Sequence, residues 1–150
     1  MAGPFRQLKR VPNKKVEAAL QRQRDGNSAV RGVLSAMGAD LSKPLCVEFF
    51  FYAKAEDRAH GLRAALEALG YKAWVSPPRE KGEHCINGWT PPMPGNDTSL
   101  DTWSDAMVRL ADRFEAQFDG WGTFDEQDDD FFDQIDAEGP EDGPSPGADE

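Results

Sequence analysis

The chain is poor in the residues that most often carry chemistry. It has 150 residues, with two cysteines, Cys46 and Cys85, and two histidines, His60 and His84. Two cysteines are too few to staple a secreted fold of this length. His84 beside Cys85, with Cys46 distant, matches no recognised zinc spacing. Neighbouring residues of a strand point to opposite faces, so His84 and Cys85 do not make a base and nucleophile. A Walker-type loop and a dinucleotide fingerprint are both missing, and Gly120-x-Gly122 alone is too short to stand for either. Apolar runs stay well below the ~20 residues a membrane helix needs. The basic N-terminus has no apolar stretch behind it and does not read as a signal peptide. Together these point to a soluble, intracellular protein that is not an enzyme, with no cofactor and no metal.

Charge of one sign is missing from the C-terminal end. Residues 115–150 carry fourteen Asp and Glu and no Lys or Arg. Residues 1–31 carry eight Lys and Arg against Glu17 and Asp25, within a chain of net charge -10. Hydrophobic content is 39%, so part of the chain is expected to stay outside a core. Three regions follow: a basic, partly helical arm at 1–26, an α+β domain at 27–126, and an acidic disordered tail at 127–150.

Within the arm, Val16, Ala19, Leu20 and Gln23 give a weak helical stripe. Asp25-Gly26-Asn27 reads as a turn. A second helix is expected over 28–38, with Val30, Val33, Leu34 and Met37 on one face and Asn27 or Ser28 as its cap. Leu45 to Tyr52 reads as a central strand, because it is apolar almost throughout. Glu48 is its exception and must face solvent, pair, or shift its pKa. Ala55 to Leu69 is an amphipathic helix ended by Gly70. Tyr71 to Ser76 and His84 to Thr90 are strands, bounded by prolines. Leu100, Trp103, Met107, Leu110 and Phe114 mark a second core helix, with Asn96, Asp97 or Thr98 as caps and a capping-box-like Thr98-x-x-Asp101. Residues 116–124 read as a last strand, kinked by its glycines, that plants Trp121 against the sheet.

Strand, helix, strand, strand, helix, strand is the pattern of a ferredoxin-like βαββαβ sandwich. Right-handed crossovers put two helices on one face of a four-stranded antiparallel sheet. The N-terminal helices then pack on an edge, an end or the open face. Cys46 and Cys85 start antiparallel neighbours, which separates them by roughly 15 Å. Both are therefore expected to stay reduced.

The helix ending Leu69-Gly70-Tyr71, the strand after it, the helix at 99–114 and the block Phe118-Asp119-Gly120-Trp121-Gly122-Thr123 carry a resemblance. So does the lead-in Asp40-Leu41-Ser42-Lys43-Pro44 before Val47-Glu48-Phe49. Residues 45–124 resemble the bacterial family known as regulator of ribonuclease E activity B, the ribonuclease E inhibitor family. The resemblance implies a cytoplasmic α+β sandwich without catalytic activity, which binds ribonuclease E and restrains RNA cleavage. It also implies an acidic C-terminal tail. The basic arm and the Pro-rich loop at 91–95 depart from the family pattern. The motif residues 118–123 have either a structural or a partner-binding role.

In the tail, Phe131, Phe132 and Ile135 form one short apolar face among Asp128, Asp129, Asp130 and Asp133. This is the look of a segment that folds on a partner. The expected partner is a protein, ribonuclease E or another basic RNA-binding surface, reached through long-range and salt-sensitive attraction. The alternatives are direct RNA binding, which the net negative sign disfavours, and an interaction module with a different protein target.

Overall fold

A computed structural model describes residues 14–78, 82–124 and 127–136. The elements are α1 (Lys14–Ala36), β1 (Glu48–Ala53), α2 (Glu56–Ala68), β2 (Lys72–Val75), β3 (His84–Trp89), α3 (Asp97–Arg113), β4 (Ala116–Gly122) and α4 (Phe131–Gln134). The strands form one open antiparallel sheet in the order β2-β3-β1-β4. This is the α+β, ferredoxin-like arrangement expected from the element order.

β1 is central and its burial alternates. Phe49, Phe51 and Ala53 are buried, while Glu48, Phe50 and Tyr52 are half-buried. The inward set meets Ala59, Leu62 and Leu66 of α2 and Leu100, Trp103, Met107 and Leu110 of α3 in one core. These helix residues are the stripes that the helical period places on one face. Trp103 Nε1 donates to the Tyr71 hydroxyl at 3.1 Å, which settles the polar tip of each ring. Asn96 caps α3 by accepting from Ser99 N at 2.9 Å, so the cap is Asn96 rather than the Thr98 box.

The strand ladder begins at Glu48, but the chain before it is already paired. Leu45 bridges Met93, and Thr90 N donates to Val47 O at 2.9 Å. Cys85 lies opposite Tyr52, six positions along from Cys46, and the two cysteines are not joined in a disulfide, as expected.

Two expectations for the N-terminal region are corrected. α1 runs unbroken from Lys14 to Ala36, through Asp25, Gly26 and Asn27. A mid-helix glycine costs about 1 kcal/mol. Tertiary contacts offset that cost here, because Asn27 is not an exposed cap but is 1% exposed and fully bonded. Val33 and Met37 are also not on the packed face; they are 59% and 71% exposed. The face that packs runs Val16, Leu20, Gln23, Asn27, Val30 and Leu34, with alternating steps of four and three. It lies along α3 and the β4 edge, so α1 joins the helical layer. The expected end of the basic arm, residue 26, falls within this helix.

Gly88 faces inward between β2 and β3, opposite Ala73. A Cβ there would sit 1.8 Å from Lys72 O, so only glycine lets the two backbones approach this closely.

Candidate functional site

The block 118–123 is built around a register shift. Phe51 pairs with Phe118, but Phe50 pairs with Gly120, which leaves Asp119 as an extra residue. Phe118 and Trp121 are three positions apart. In a regular strand they would point to opposite faces. The bulge resets the phase and turns both toward the helices, opposite Phe51 and Phe49. Gly120 holds φ at +135, a conformation side chains rarely adopt, and that is what the bulge requires. Asp119 is left exposed. Thr123 Oγ1 donates to Cys46 O at 2.6 Å and ties the strand end to β1's lead-in.

Trp121 Nε1 donates to Asn27 Oδ1. The Asn27 amide nitrogen donates in turn to Asp101 Oδ1 and Ser104 Oγ, both at 2.9 Å. Beside this seam, Arg24 pairs with Asp105, and Arg31 Nε donates to Gly95 O at 3.1 Å. Sequence reasoning missed Asn27 because its signal, a polar residue next to glycine, is that of a turn.

The opposite face of the sheet carries the other sequence-derived candidates. Gly122, Glu48, Trp89 and Lys72 form one row across all four strands. Phe50, Asn87 and Trp74 form the next. Glu48 accepts from Asn87 Nδ2 at 3.1 Å. Burial raises its carboxyl above the usual range, and the Asn87 bond draws it part of the way back.

Residues 127–136 cross this face. Gln127 meets Cys46 at both ends of its amide. Its Oε1 accepts from Cys46 N at 2.8 Å, and its Nε2 donates to Cys46 O at 3.0 Å. The side chain thus supplies the pair of bonds that a neighbouring strand residue would. Phe131 lies edge-on to Trp89 at 5.0 Å and to Phe124 at 5.3 Å. Lys72 Nζ sits 4.6 Å from the Phe132 ring centre and donates to Phe132 O and Ile135 O at 2.6 and 2.8 Å. The ammonium therefore caps the carbonyl end of α4 and makes a cation–π contact at once. Neither Lys72 nor Gln127 announces these roles in the sequence, since both depend on where the chain returns.

The structure thus separates the candidates. Phe118 and Trp121 face the helices, while Phe131, Phe132 and Ile135 lie half-buried on the open face. Asp128, Asp129, Asp130, Asp133 and Asp136 are exposed along the same segment. A cleft of about 490 Å³ lies where the segment meets the 38–46 loop, lined by Asp40, Lys43, Cys46, Pro92, Gln127 and Asp128 among others. Among the described residues, no group of three or more His, Cys, Asp or Glu is placed to hold a metal ion. No helix among them is long and apolar enough to cross a membrane. The arrangement suits surface recognition: carboxylates on a folded support, beside aromatic rings.

The family model described as Regulator of ribonuclease activity B matches residues 24–123. The matched region begins inside α1, three residues before Asn27, and ends at Thr123. No curated protein matches the chain.

Proposed function

We propose that this chain, which belongs to the regulator of ribonuclease activity B family, is a non-catalytic cytoplasmic protein that binds a ribonuclease E-type endoribonuclease and inhibits its cleavage of RNA. The observation that carries the reading is the placement of acid. Asp128, Asp129, Asp130, Asp133 and Asp136 are exposed on a segment tied to the sheet by Gln127 and Lys72. Five carboxylates within nine residues keep a local negative field that a basic, RNA-binding surface would meet, whether or not the segment is docked on the sheet. Inhibition then follows from occupation of the surface that RNA itself needs. Phe131, Phe132 and Ile135 add apolar contact.

The block 118–123 has a supporting role in this reading. It sets the bulge and seats α1, while the binding surface is the acidic segment 127–136.

The test is a pull-down of ribonuclease E by the full chain and by a variant with Asp128, Asp129 and Asp130 all changed to Asn. Binding by the variant should weaken and lose most of its salt dependence. Equal binding with unchanged salt dependence contradicts the reading.

A further inference from the structure

Phe131 and Phe132 have two uses that exclude one another. Under the reading above they contact the partner. In the folded chain Phe131 packs on Trp89 and Phe124, and Phe132 lies beneath Lys72. One ring face cannot serve both surfaces.

We propose that residues 127–136 form a cis-docked cover on the open sheet, and that a basic partner segment engages them in the undocked form, so that docking and partner binding compete. The partner half of this inference rests on the regulator reading; the cover rests on geometry alone.

The cover is held at few points. α4 has four residues, too short to be a stable helix by itself, so its form depends on the sheet. Lys72 fixes its carbonyl end and Gln127 fixes the approach. Phe131, Phe132 and Ile135 stay half-exposed when docked, so docking buries only part of the apolar surface that the undocked segment offers a partner. Charge also favours a partner. Asp128, Asp129, Asp130, Asp133 and Asp136 are exposed on the docked segment and repel one another, and a basic partner relieves that repulsion. A binding-competent state that is only partly populated weakens apparent affinity by its fraction, so loosening the cover tightens partner binding.

Cys46 reports the state of the cover. Its residue is 2% exposed and its backbone is clamped by Gln127. Burial, and then the charge of Asp133, push its thiol up to about 11. A thiol reagent attacks the thiolate, so a docked cover protects Cys46 twice, by access and by protonation.

The experiment follows modification of Cys46 in the full chain, located by mass spectrometry, with and without poly-L-arginine. Poly-L-arginine at low salt should speed the reaction about fivefold, and high salt should abolish the effect. Lys72→Gln and Gln127→Ala should each speed it without any partner, and each should bind poly-L-arginine about threefold more tightly. Gln127→Ala leaves the charge unchanged and so separates release from added acidity. Poly-L-arginine binding with Cys46 still protected overturns the proposal. So do two folded variants with an unchanged Cys46 rate. The same variants assayed with ribonuclease E keep the two readings apart. If poly-L-arginine opens the cover and ribonuclease E does not bind, the partner reading falls and the cover stands. If ribonuclease E binds both variants no more tightly than the parent, the competition falls and the partner reading stands.

Discussion

Trp121 and Asn27 lie 94 positions apart, and the indole Nε1 of one donates to the side-chain oxygen of the other. With its amide nitrogen on Asp101 and Ser104, Asn27 joins α1, α3 and β4 through one buried side chain. The contact exists because the bulge at Asp119 turns Trp121 inward. The motif residue and the helix residue are thus one device.

Removing that device should cost far more than removing the surface pair next to it. Asn27→Ala leaves Trp121 Nε1 without its buried acceptor, and Asp101 and Ser104 without the amide's donors. The expected loss is about 1–3 kcal/mol. Arg24→Ala breaks an ion pair whose arginine side chain is 49% exposed and screened by solvent, and should cost much less. Urea denaturation with unchanged m-values measures both, and equal losses would contradict the assignment.

Three glycines should respond differently to alanine. At Gly88 the new Cβ meets the Lys72 carbonyl, and spreading the strands should cost about 3 kcal/mol. At Gly120 the strain comes from φ at +135, with open space around it, and should cost more than about 1 kcal/mol. Gly122 has open space and an ordinary backbone, so its variant should stay within about 0.5 kcal/mol of the parent. Thermal melts of the three variants test this order.

Glu48 predicts a pH signature. Burial raises its folded pKa above the ordinary 4.5, so the folded chain binds this proton more tightly than the unfolded one. That contribution is fully present below the unfolded value and is lost as pH rises through the folded one. Glu48→Gln stays neutral and keeps an acceptor for Asn87. It should be more stable than the parent at pH 7, with the gap closing as pH falls toward about 4. A gap that is constant or widens on acidification would contradict a buried, proton-favouring Glu48.

The order of elements was legible because it rests on local periodicity. Phe49 and Phe51 on one side of a strand, and Leu62 and Leu66 on one side of a helix, need no knowledge of distant residues. The kink at Gly120 was legible for the same reason. The unbroken α1 was not, because Gly26 and Asn27 carry local turn signals that the Trp121 and Ser104 bonds override. Val33 and Met37 have helical spacing, yet Val33 sits on the wrong side of a longer helix whose phase Val16 and Leu20 set, and Met37 lies just past its end. The apolar face of Phe131, Phe132 and Ile135 was visible, but its intramolecular seat was not. That seat depends on Lys72 and Gln127, whose side chains are unremarkable until the chain returns to them.

The central claim is that the acidic segment 127–136 restrains a ribonuclease by binding it. Its most direct test is an RNA-cleavage assay with the cognate ribonuclease E, titrated with the full-length protein at two salt concentrations. Inhibition should saturate at low salt and fade as salt rises. Cleavage that is unchanged by the protein at both salt levels, with no co-purification of the two, would contradict it.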